Sequence, residues 1–109
     1  MSYAIPKGLT RKARSAAQAI VREVKLQRGR GASSGFDTPF YTPERWKERG
    51  EDYGQGSILI VIHDGGDHAG CFNLDYCEYE RHEAMRQALE TVGCWVEQCT
   101  CWYSAVYAD

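Results

Sequence analysis

The longest apolar run in these 109 residues is ILIVI at 58–62, five residues where a membrane-spanning helix needs roughly 18. No membrane contact is therefore expected from a helical span. No secretory leader is apparent either, because the first apolar segment, AAQAIV, is short and flanked by charge. The chain lacks C-x-x-C, and its five cysteines (Cys71, Cys77, Cys94, Cys99, Cys101) are an odd number. A cytoplasmic protein with reduced thiols is the expectation. The C-T-C at 99–101 puts both side chains on one face if it lies on a strand, which points to small apolar packing rather than to a metal. G-x-G-x-x-G, the P-loop, H-E-x-x-H and the EF-hand loop are all missing, and there is no repeat or low-complexity segment. Nothing in the motif inventory asks for a cofactor.

What is present is a chain of one-domain length, 1–109, with 43% apolar residues and 13 aromatics. Its charge is divided. Residues 1–31 carry eight Lys/Arg against the single Glu23, a balance of +7; the remainder carries five against fourteen acidic residues, a balance of −9. A split of this kind suggests an electrostatic partner for one half, or docking of one half on the other. It is also what a solvated basic helix face produces.

The apolar periodicity predicts a helix over 10–27, capped by Thr10, with Ala13, Ala16, Ala17, Ile20, Val21 and Val24 on one stripe. The stripe is mostly alanine, so it should bury little area and hold the helix weakly. Arg11, Lys12 and Arg14 crowd the start of this helix, where cations oppose the macrodipole. Three glycines and two serines at 28–38 read as a flexible connection. Thr42, Pro43 and Glu44 open a short helix over 43–49 that Gly50 ends, with Trp46 as its anchor. SILIVI at 57–62 does not alternate, which suits a strand buried on both faces. Asp75 and Glu78 match a capping box for a helix over 75–92, with Cys77, Ala84, Met85, Ala88, Leu89 and Val92 inward and Gly93 as the stop. Strands are expected at 94–99 and 101–107. Strand, helix, strand makes one βαβ unit, with 57–62 and 94–99 as parallel neighbours. The fold class is α+β: a small sheet packed with helices.

HDGGDH, residues 63–68, follows the central strand and is the richest candidate site: His63, Asp64, Gly65, Gly66, Asp67 and His68. In a sheet with parallel strands it would lie beyond their carboxyl ends, where ligands gather, and a helix starting at Asp75 would add an anion-binding end. His63, Asp64, Asp67 and His68, with Cys71 or His82, supply nitrogen and oxygen ligands of the kind zinc accepts. The spacing matches no standard metal motif, however. Cys71 with His63 or His68 is a nucleophile–base combination, with no orienting acid at a recognisable spacing. The plainest account is a strand-ending turn whose aspartates bond backbone amides. Elsewhere, Trp95, Trp102, Tyr103 and Tyr107 are of the type that supplies interface contacts, and equally the type that fills a core. The basic helix also fits phosphate contacts to nucleic acid, although it lacks interleaved aromatics.

VIHDGGDHAGCFNLDY and VEQCTCWYSAVY, with the CTCWYSAVY ending as the most specific part, resemble small uncharacterised proteins encoded by bacteriophages and prophages, over about residues 56–107. The resemblance implies an accessory protein expressed inside a bacterium. It further implies that the protein binds and blocks a host or defence macromolecule, in the manner of anti-CRISPR inhibitors, and it supplies no catalytic residues to carry over. A non-enzymatic inhibitor is thus the leading expectation, with Arg11, Lys12, Arg14, Trp102 and Tyr103 as contact residues. A metal site in the HDGGDH loop and nucleic-acid binding are the alternatives, and self-association is a further outcome of the charge split.

Overall fold

A computed structural model describes residues 3–109. Helix α1 runs Arg11–Arg28, started by Thr10, whose hydroxyl accepts from Ala13 N at 3.1 Å. It stops at Gly29, where φ of 91° suits a residue without a Cβ. Strand β1 is Phe40–Tyr41, and helix α2 is Pro43–Glu48, capped by the Thr42 hydroxyl. Strand β2, Leu59–Ile62, is followed by the one-turn helix α3, Ala69–Phe72, and a 3₁₀ turn at Leu74–Tyr76. Helix α4 spans Tyr79–Glu90, and strands β3, Cys94–Gln98, and β4, Tyr103–Ala108, complete the order. The fold is α+β, as the sequence suggests.

The sheet order is β1-β2-β4-β3, and every pairing is antiparallel. Strands β2 and β3 therefore point the same way but are not neighbours. Strand β4 runs back between them, pairing Val61 with Ser104 on one side and Val96 with Val106 on the other. The expected adjacency of 57–62 and 94–99 is thus corrected: the unit is a split βαβ. The physical reason is the tight turn at 99–102. Both Cys99 N and Thr100 N donate to the Tyr103 carbonyl at 3.1 Å, and the Thr100 hydroxyl takes Trp102 N and Tyr103 N. The chain reverses there, so β3 pairs with the strand that follows it. The same turn separates the C-T-C thiols, leaving Cys99 half-buried and Cys101 exposed.

Strand β2 is buried on both faces, because helices cover one side and α2 the other. Leu59 and Val61 meet Val106, Met85, Leu89 and the α1 stripe. Ile60 and Ile62 meet Trp46, Tyr103 and Ala105. Trp46 is the anchor of this second cluster, with ring centroids 4.9 Å from Tyr103 and 5.1 Å from Tyr41. Tyr103 is only 1% exposed, so it is a core residue and not a contact; its hydroxyl accepts from Tyr53 N.

Two further expectations are corrected. The helix expected from Asp75 begins at Tyr79. Cys77 adopts a left-handed conformation, φ 57°, which breaks any helix passing through it, and the preceding turn is capped by Asn73 instead. Nor is α1 weakly held. Ala13, Ala16, Ala17, Ile20 and Val24 are fully buried, since alanines let the helix approach closely and gain contact where they lack area. Helix α4 lies antiparallel beside it on the same sheet face. Arg28 and Gln27 meet Glu78 and Arg81 at one end, and Lys12 lies over Gly93 at the other. The stretch read as a flexible connection is packed at Ser34, which is fully buried.

Such close packing makes a steric prediction. Ala17→Leu is expected to lower unfolding free energy by about 1–3 kcal/mol through overpacking. The exposed Gln18→Ala should change it by less than about 0.5 kcal/mol. Urea denaturation followed by circular dichroism distinguishes the two; equal effects would mean that the α1 stripe is loosely packed.

Candidate functional site

Residues 63–68 leave β2 and fold back under the helices instead of opening to solvent. His63 and His68 are buried, while Asp64 is exposed. With antiparallel neighbours there is no ridge of strand carboxyl ends here, and no helix N-terminus at Asp75 to complete an anion site.

His68 is committed on both nitrogens. Its Nε2 lies 2.6 Å from the Ile62 carbonyl, which only accepts, so the proton sits on Nε2. Nδ1 then carries the lone pair and faces the Tyr3 hydroxyl at 3.0 Å. The Ser33 carbonyl, 3.1 Å from the same hydroxyl, competes for its proton. His63 stacks on Phe72 and places Nε2 2.8 Å from Ser104 Oγ, a hydroxyl that satisfies either tautomer. Its Nδ1 is buried and has no hydrogen-bond partner among the described residues. Burial lowers both histidine pKa values, and for His63 the nearby His68 adds to the effect, bringing it to about 4.

Asp67 serves the backbone. Its carboxylate accepts from Ser33 N, and its carbonyl accepts from Arg81 Nη2. Arg81 also donates to Gln27 Oε1 at 2.6 Å and to Glu78 Oε2 at 3.2 Å. One guanidinium thus ties the HDGGDH loop to both α1 and α4. Gly66 is needed for space: a Cβ there would collide with the Ser34 carbonyl and the His68 ring.

These commitments bear on the chemical readings. Among the described residues, no group of three or more His, Cys, Asp or Glu side chains is placed to hold a metal ion. The ligand set read from the sequence does not converge, because His63 and His68 turn inward to separate partners while Asp64 faces solvent. The thiol of Cys71 donates to Gln27 Oε1 at 3.3 Å, and burial pushes its pKa up to about 11, opposite to what a nucleophile needs. His82 Nδ1 is paired with the Cys71 carbonyl, not with the thiol.

The other candidates lie on surfaces. Trp102 is half-buried against Trp46, and Trp95, 43% exposed, stacks on Tyr107 with centroids 4.5 Å apart. Arg11 and Lys12 are exposed, whereas Arg14 is half-buried and donates to the Pro6 carbonyl at 3.4 Å. Arg22 and Lys25, not among the residues singled out from the sequence, are exposed on the same side of α1 as Arg11. The signal for them is spacing: positions 11 and 22 are three turns apart, and 25 adds one more. The row covers about 21 Å at the helical rise. Among the described residues, Arg28 is the only cation of α1 with a carboxylate within ion-pair distance, Glu78 at 3.3 Å.

Comparison with family models, with curated proteins and with solved structures gave no match for this chain.

Two predictions follow from the loop. For His63 the folded pKa is lowered from 6.5, so its stabilising effect is complete above pH 6.5 and fades as pH falls toward 4. Unfolding free energy should drop by about 2 kcal/mol between pH 7.5 and 5. Denaturant titrations at the two pH values check this, and His63→Asn should reduce the difference, leaving the part contributed by buried His68. Gly66→Ala should destabilise by about 1–3 kcal/mol, because backbone must move to admit the methyl group; an unchanged melting temperature would contradict the packing described.

Proposed function

We propose that this is a non-enzymatic binding protein that occludes an acidic protein surface with the cationic face of α1. The observation that carries the reading is the row of Arg11, Arg22 and Lys25, with Lys12 at its flank, exposed on a firmly packed helix and unpaired among the described residues. A cationic row held on a rigid support loses little order on binding, and complementary charge speeds encounter and sets register. The committed histidines and the inert Cys71 thiol favour binding over catalysis. The likeness to phage and prophage accessory proteins suggests a host or defence protein inside a bacterium as the partner.

Nucleic acid is the competing polyanion. The acidic residues of α4, Glu80, Glu83 and Glu90, lie beside the cationic row and would repel a long polyphosphate, but not a bounded acidic patch.

The test compares wild type with Arg11→Glu/Arg22→Glu/Lys25→Glu as baits in nuclease-treated bacterial lysate. Wild type is expected to retain one dominant protein that elutes as salt rises. The variant should lose at least about tenfold in affinity for that protein, with a melting temperature within about 4 °C of wild type. Equal capture by both baits would overturn the reading. Recovery of only nuclease-sensitive material would move it to nucleic acid.

A further inference from the structure

We propose that two copies of this chain pair through their helical layers, with the cationic face of α1 laid on the acidic face of α4 in the second copy. The inference rests on the reading above that the α1 face is a contact surface, and it adds a second occupant for that face.

The outward side of α4 is a row of its own. Tyr79, Glu83 and Glu90 recur at helical spacing, with Glu80 beside them, and all are exposed. Arg86 shares the row, held by Glu83 at 2.9 Å and Glu90 at 2.7 Å, so the face remains net acidic. Helices α1 and α4 lie side by side and antiparallel on one sheet face, and both present these rows away from the sheet. A two-fold axis parallel to the helices, placed above the groove between them, carries α1 over the partner's α4 and α4 over the partner's α1. The contact is self-complementary, as a two-fold interface must be. It also keeps each apposed helix pair antiparallel, so their dipoles oppose.

The register is fixed to within about one helical turn. Within one chain, Gln27 is level with Arg81, and Lys12 with Gly93. Rotation alone preserves these levels. Leu26, 75% exposed, then lies within about one turn of Tyr79, 61% exposed, of the other copy. Arg22 and Lys25 lie within about one turn of Glu83 and Glu80, a distance that long side chains span. An apolar pair and a set of opposite charges coincide twice, once on each side of the axis. Leu26 and Tyr79 are thereby given a reason to stand in solvent on a cationic and an acidic helix respectively.

Sedimentation equilibrium of the full chain tests the proposal at low and high ionic strength, about 20 and 500 mM, where screening lengths differ several-fold. Wild type is expected to be dimeric at low salt and monomeric at high salt. Glu80→Lys/Glu83→Lys and Arg22→Glu/Lys25→Glu should each be monomeric alone, with melting temperatures showing that both fold. Mixed in equal amounts at low salt they should form a heterodimer, since each now complements the other. A wild type that stays monomeric at low salt, an α4 variant that still dimerises, or a mixture that does not associate would overturn the pairing. Because the α4 variant keeps α1 intact, its retention of the partner captured by wild type tests the binding function separately from the dimer.

Discussion

The return of β4 between β2 and β3 governs this structure. It makes the sheet antiparallel throughout, and so removes the ridge of strand carboxyl ends at which an α/β protein gathers its ligands. It also brings Ser104 opposite Val61, within reach of the His63 ring, and turns Tyr103 into the second core beside Trp46. The fate of the most eye-catching residues in the sequence thus depends on a strand some forty positions downstream.

That distance explains what the sequence does and does not make legible. Local chemistry reads well. The caps at Thr10 and Thr42 and the two-sided burial of ILIVI depend on neighbours within a few residues, while α4 ends at Glu90, two residues before the end expected at Val92. The class, α+β, emerges from the sum of such signals. Pairing order does not, because antiparallel β3–β4 and parallel β2–β3 contacts bury the same side chains, and only the Thr100 turn decides between them. The false helix start at Asp75 has a different origin. A capping box specifies which donors can be satisfied, but it says nothing of the backbone at Cys77, which leaves helical space. The two-residue strand β1 is too short to have a periodicity at all.

The HDGGDH loop shows why residue type misleads when partners are unknown. Two histidines and two aspartates within six residues look like coordination chemistry. Folded, one histidine bonds the strand it follows, the other a serine on the adjacent strand β4, and Asp67 holds a neighbouring loop. Exposed charged residues are instead set out in rows on α1 and α4, where simple helical spacing separates most cations from anions, with Arg86 held between Glu83 and Glu90.

Both hydrophobic clusters draw on β4: Val106 belongs to the helical side, and Tyr103 and Ala105 to the other. Of the four strands it is the last in chain order. Until it is in place, β2 and β3 have no common neighbour, and the α1 stripe faces a sheet with its middle missing. The pairs it makes with β2 join residues more than forty positions apart, so the entropy of closing that loop must be met before most of the burial is gained. Partial structures that lack β4 therefore leave both cores without a shared wall, and the two clusters depend on one strand for their completion.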